Sequence, residues 1–169
     1  MRRFRRAKEG AAAVEFGLVA LPFFLLTFGL AETAMIGFAQ TTLDYAVTET
    51  ARGIRTGQVQ ASGMSYAQMQ ERLCSEMTGI LSLDCAGNLY LDVDNYPSYV
   101  SIDTTSPISG GNLDTGQFGY NPGGPSSIVV VRAYYRWEVM TPLFQQLYAN
   151  VGGDERVMVS TMMFRNEPF

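Results

Sequence analysis

The pattern of apolar and polar positions changes character along the chain. Residues 11–31, AAAVEFGLVALPFFLLTFGLA, are apolar for 21 positions with one charge, Glu15. That is the length a helix needs to cross a hydrocarbon core, about 20 residues. From Gln40 to Gly57 the pattern turns amphipathic. Leu43, Val47, Ala51 and Ile54 recur at four, four and three, while Asp44, Glu49, Arg52 and Arg55 fall off that stripe. One continuous helix over Ala11–Thr56 would measure ~70 Å at 1.5 Å per residue, its outer stripe serving as a core face. Pro22 predicts a kink or a local opening, which a membrane or packed-helix setting tolerates. Gly53 weakens the last turn and Gly57 is a natural stop.

Gln58–Gly63 reads as a linker. Ser65, with Gln68 three residues on, forms a capping-box pattern and opens a second helix whose stripe is Tyr66, Met69, Leu73, Met77 and Ile80. The methionines suit core filling better than soft-metal binding. In NLYLDVD, from Asn88, Leu89, Leu91 and Val93 alternate with Tyr90, Asp92 and Asp94, which predicts a strand. Tyr99–Asp103 is its expected partner, across a turn at Asn95–Pro97. Asp92 and Asp94 then share a face expected to be solvated; two acids on one strand are too few for a calcium site or a glycosidase. Thr104–Ser126 is rich in turn residues and reads as a long surface loop or mobile insertion. Its glycines lack the Lys-Ser/Thr of a phosphate loop. Phe118 and Tyr120 are either its recognition contacts or incidental. Ser127–Val139 is the clearest strand, with Val129, Val131, Ala133, Tyr135 and Trp137 on one face and Arg132, Arg136 and Glu138 on the other. Thr141 and Pro142 suit the cap and first position of a short helix through Tyr148. Gly152–Gly153 turns into a last strand, Arg156–Arg165. The class is α+β.

Charge divides the chain. Arg2, Arg3, Arg5, Arg6 and Lys8 precede the apolar run, which places the N-terminus in the cytoplasm and exports the rest. The net charge is −4; without residues 1–10, seven basic side chains face fifteen acidic ones. An acidic exported part argues against nucleic acid as a partner. There is no histidine, so catalysis would rest on carboxylates alone, and neither an enzyme nor a cofactor is expected. The two cysteines, Cys74 and Cys85, are too few for a zinc site, and no metal is expected. In an oxidising compartment they are expected to form a disulfide worth roughly 2–3 kcal/mol, stapling the second helix to the first strand. Two reduced, buried thiols are the alternative.

The apolar run is too long for a secretory signal peptide and lacks an A-x-A site after it. A plain anchor accounts for length and cations. It does not account for a glycine followed by a small residue, with a glutamate five places on. GAAAVEFGLVALPFFLLTFGLAE resembles the class III signal of type IV pilins and pseudopilins. More narrowly, it looks like the start of the TadE-like proteins of the tight-adherence (Tad) pilus. YRWEVMTPL (Tyr135–Leu143) and FRNEPF (Phe164–Phe169) look like that family too, in the same order. The resemblance implies a pilin-like α+β fold, in which a long N-terminal membrane-spanning helix continues as a spine on a small domain with a second helix and an antiparallel sheet. It implies a cytoplasmic leader over 1–10, a transmembrane and spine helix over 11–57, and a periplasmic domain over 58–169. A prepilin peptidase would cut between Gly10 and Ala11. The freed amine, with a reference pKa near 8, would pair with Glu15 of a neighbouring subunit, neutralising two charges in low dielectric. Otherwise Glu15 snorkels to the cytoplasmic headgroups.

The implied partners are the prepilin peptidase, the major pilin, other minor pilins such as TadF, and the inner-membrane assembly platform. The implied place is the bacterial inner membrane, single-pass, with passage into an extracellular pilus for surface adhesion. Against this minor-pilin reading stands a second function: a periplasmic binding module on an uncut anchor, in which Gly10 is replaceable and the Thr104–Ser126 loop matters most.

Overall fold

The architecture is taken from a computed structural model that describes residues 9–77 and 84–169. Helix α1, Glu9–Arg55, is 47 residues long and passes through Pro22 without a break. Pro22 lacks the N–H that would bond the carbonyl four residues back, and the helix absorbs that single loss. Five of its threonines, and Thr56 just past its end, satisfy their hydroxyls against the helix backbone, while the buried Thr50 hydroxyl finds no partner among the described residues. Thr27, Thr33, Thr41, Thr42, Thr48 and Thr56 each donate to the carbonyl four residues earlier, at 2.7–3.0 Å.

Gln58–Gly63 is not a linker. It forms a one-turn helix α2, Gln58–Ser62, between Gly57 and Gly63, both with positive φ (79° and 61°). The buried Val59 pins this otherwise polar turn to the core, a role that one apolar residue in a polar stretch does not announce. Helix α3, Tyr66–Glu76, has the capping box: Ser65 N–H donates to Gln68 Oε1 (2.9 Å) and Gln68 N–H to Ser65 Oγ. Met69, Leu73 and Met77 are buried; Ile80 lies outside the described residues. A short helix α4, Cys85–Asn88, leads into β1, Leu89–Tyr96. Cys74 and Cys85, eleven residues apart, are joined with Sγ–Sγ at 2.00 Å.

Tyr99–Asp103 does not pair with β1; Tyr99–Ser101 is a 3-10 turn. The partner is β4, Ile128–Glu138, with Asp92 opposite Arg132 and Val93 opposite Val131. A hairpin with 99–103 would have left the buried faces of β1 and β4 uncovered, whereas the long pairing joins two matching apolar faces and sets opposite charges side by side. Between them a tiny hairpin, β2 (Ile108–Ser109) and β3 (Asn112–Leu113), turns through Gly110 and Gly111, at φ 57° and 75°, the left-handed conformation of a two-residue hairpin loop. After β4 comes a 3-10 turn, Pro142–Phe144, then α5, Gln145–Tyr148. Strand β5, Glu155–Arg165, pairs antiparallel with β4, so the sheet order is β1-β4-β5.

The inner face of the sheet presents Leu89, Leu91, Val93, Val131, Ala133, Tyr135 and Trp137 to the α1 stripe of Ala39, Leu43, Ala46, Val47, Ala51 and Ile54. The alanines let helix and sheet approach closely, and Met69 and Leu73 of α3 close the side. The outer face is covered in part, although Val159 and Met163 of β5 stay exposed. Tyr134 and Val157 lie beneath Ile108, Leu113 and Phe118, so the turn-rich segment is a lid on the sheet. The molecule is α+β, with a long apolar helix on a small domain.

Candidate functional site

Helix α1 packs along only its second half. From Ala11 to Phe28 nearly every side chain faces outward; Phe16 and Leu18 are each 72% exposed. Among the described residues it is one helix long and apolar enough to cross a membrane. Gly10, Ala11 and Glu15 sit together at the start of this bare half, all exposed. A Cβ at Gly10 would meet nothing within 4 Å, so packing in this fold does not require glycine there. Glu15 pairs with no cation among the described residues. The cations Arg2–Lys8 lie outside the described residues.

The bare half ends at a second carboxylate that pattern reading passed over. Glu32, the first residue past the apolar run, is 1% exposed. Its Oε1 accepts from Met140 N–H at 2.7 Å, and its Oε2 from Thr141 N–H at 3.2 Å. Charge-assisted bonds to two backbone donors offset the cost of burying a carboxylate. One turn before, Gly29 has no side chain and the Phe144 ring lies against it; a Cβ there would be 2.7 Å from the ring. One residue after Glu32, the Thr33 hydroxyl donates to Gly29 O, so the Tyr148 hydroxyl, 2.7 Å away, donates to Thr33. Gly29, Glu32 and Thr33 thus seat the segment 140–148 on the helix. The signal available beforehand was a lone glutamate three residues after a glycine, at the edge of the apolar run.

A second clamp holds the far end of α1. Glu167 N–H donates to Arg55 O at 2.9 Å, satisfying a last-turn carbonyl, and their side chains pair at 3.4 Å. Phe169 stacks over Gly57, where a Cβ would be 2.4 Å from the ring. Asn166 is buried and its amide donates to Pro122 O and Gly124 O. Both motifs noted near the C-terminus therefore contact the helix, VMTPL at Glu32 and NEPF at Arg55–Gly57.

The acidic strand face is not solvated. Asp92 is buried and takes Arg132 Nη1 at 2.9 Å and Gly119 N–H at 3.0 Å; Arg132 also donates to Asp103 O. Pairing of β1 with β4 brings Arg132 to Asp92. Burial, reinforced by the Asp92 carboxylate alongside, raises the Asp94 carboxyl above its ordinary value. Two hydrogen bonds from Thr105 lower that of Asp103. Asp92, Asp94, Asp103 and Asp114 line a cavity of about 250 Å³ with Arg132, yet among the described residues no three metal-ligating side chains converge. Phe118 stacks on Tyr134 at 4.9 Å, and the Tyr120 hydroxyl donates to Met64 O. Both loop aromatics are thus engaged within the domain.

The site is thus a long helix, bare and apolar in one half and packed as a spine on a small α+β domain in the other. A family model described as TadE-like protein matches residues 10–52, the apolar half of α1 and most of its packed half. The match starts at Gly10 and takes in Glu15, Gly29 and Glu32. No curated protein and no solved structure matches the chain.

Proposed function

We infer that this chain is a minor pilin or pseudopilin of a Tad (type IVb-like) pilus, made as a single-pass inner-membrane protein and released from its leader by a prepilin peptidase. The observation that carries the reading is the bare half of α1. Eighteen residues, Ala11–Phe28, stand clear of the domain with their apolar side chains outward, and at its head a glycine, a small residue and a glutamate follow in the order a prepilin peptidase and pilin assembly use. That surface is stable only in a bilayer or against other helices. The family match across the same residues supports the Tad context.

Cleavage after Gly10 makes Ala11 the new N-terminus and leaves an ammonium four residues before Glu15. In low dielectric an ammonium and a carboxylate from neighbouring subunits stabilise each other, and Glu15 has no partner of its own among the described residues. Cys74 and Cys85 fasten α3 to the start of the sheet in the oxidising periplasm. The partners on this reading are the prepilin peptidase, the major and other minor pilins, and the inner-membrane assembly platform.

The deciding experiment is the intact mass of the protein from cell membranes with and without the prepilin peptidase. Loss of residues 1–10 only in its presence is expected. An uncut chain in both strains would return the helix to a plain anchor, and an unchanged number of filaments in Glu15→Ala would remove that residue from assembly.

A further inference from the structure

We propose that the segment Met140–Tyr148 is a second membrane contact, an interfacial element that rests on the periplasmic leaflet of the bilayer crossed by α1, with Leu143 and Leu147 at the acyl-chain boundary. This rests on the reading of α1 as a membrane span.

Depth comes first. Gly29, where the segment first touches α1, lies eighteen residues beyond Ala11, ~27 Å along the axis at 1.5 Å per residue. A hydrocarbon core is about 30 Å thick. Phe144 therefore packs on α1 where hydrocarbon gives way to headgroups.

The surface has matching chemistry. Met140, Leu143 and Leu147 are 55%, 64% and 70% exposed. Leu143 and Leu147 are four apart and share a face; Phe144 and Tyr148, whose rings lie 5.9 Å apart, turn toward the spine. No charged residue occurs between Glu138 and Asp154. An amphipathic turn with a bare leucine face and a tyrosine at headgroup level is the composition of an interfacial element. The carboxylate next to it, Glu32, is buried under two backbone donors. Leu26, Phe28 and Leu30 of α1 are likewise bare at this depth, so the occupant that suits both surfaces is lipid.

The test uses the full chain in vesicles of phosphatidylethanolamine and phosphatidylglycerol. Single nitroxide labels are placed at Leu147→Cys, at Leu21→Cys in the bare half and at Ala61→Cys on exposed α2; the native cysteines are joined and do not take the label. Collision rates with oxygen and with a water-soluble nickel complex are compared. The Leu147 label is expected to favour oxygen over nickel several-fold more than the Ala61 label. If it matches Ala61 while Leu21 lies in lipid, the interfacial contact is wrong and the span stands. If it is shielded from both reagents, with spin–spin broadening that unlabelled protein removes, a second copy covers the face and the proposal falls. If Leu21 itself meets nickel freely, the span reading fails and takes the proposal with it.

Discussion

The two halves of α1 share a helical backbone and differ in nearly everything else. In residues 10–28 apolar side chains point in every direction and almost none is covered. In residues 29–55 burial recurs at three and four, through Ala39, Leu43, Ala46, Val47, Ala51 and Ile54. Large residues dominate the first half, while the covered stripe of the second intersperses Leu43, Val47 and Ile54 with alanines and the buried Gly29 and Gly53. The contrast teaches that helix formation and helix burial are separate instructions. The first half carries a surface for a solvent or partner that is not water, and the second a seam for one particular sheet.

Substitutions in the two halves should separate them, the largest effect coming from the seam. Leu43→Ala removes a fully buried side chain and is expected to cost about 2–5 kcal/mol in denaturant unfolding of the domain; Leu21→Ala should leave that unfolding within about 0.5 kcal/mol. Equal losses would erase the distinction. At the boundary, Glu32→Ala strands the N–H groups of Met140 and Thr141 and is expected to cost about 1–3 kcal/mol. Glu32→Gln, which keeps one acceptor oxygen, should lose less, by the same unfolding measurement. Gly29→Ala pushes a methyl against the Phe144 ring, at about 1 kcal/mol. Adding Phe144→Ala should cancel most of that clash in a double-mutant cycle, and strict additivity would deny the contact. The smallest effect belongs to Glu167→Ala. Its ion pair with Arg55 is more than half exposed on both sides, so about 0–1 kcal/mol is expected, vanishing in high salt.

How much of this was legible follows from where each signal lies. The apolar run, the α1 stripe, the Ser65 capping box and the alternation of β4 are local patterns, and each reports its element directly. The pairing of β1 was not local. Pattern alone points to the nearest strand-like stretch, Tyr99–Asp103, as its partner, while the true one begins at Ile128. That error carried over to Asp92, because a carboxylate reads as solvated until the strand carrying Arg132 is placed beside it. Glu32 was missed for the same reason, since its partners are backbone N–H groups 108 and 109 residues away, and a backbone donor leaves no mark in sequence. The loop aromatics read equally as recognition contacts or as incidental, and only the fold separates their places: Phe118 covers the outer face of the sheet, while Tyr120 packs against the main core beside Tyr66.

The two clamps on α1 have a mechanical consequence. The domain grips the helix at Gly29–Thr33 and again at Arg55–Gly57, roughly 35 Å apart at 1.5 Å per residue, with the seam between. A pull along the axis of the apolar half therefore loads both grips and the seam in shear, so that they must yield together. A sideways force would peel one grip at a time. Hauled lengthwise, helix and domain travel as one rigid piece.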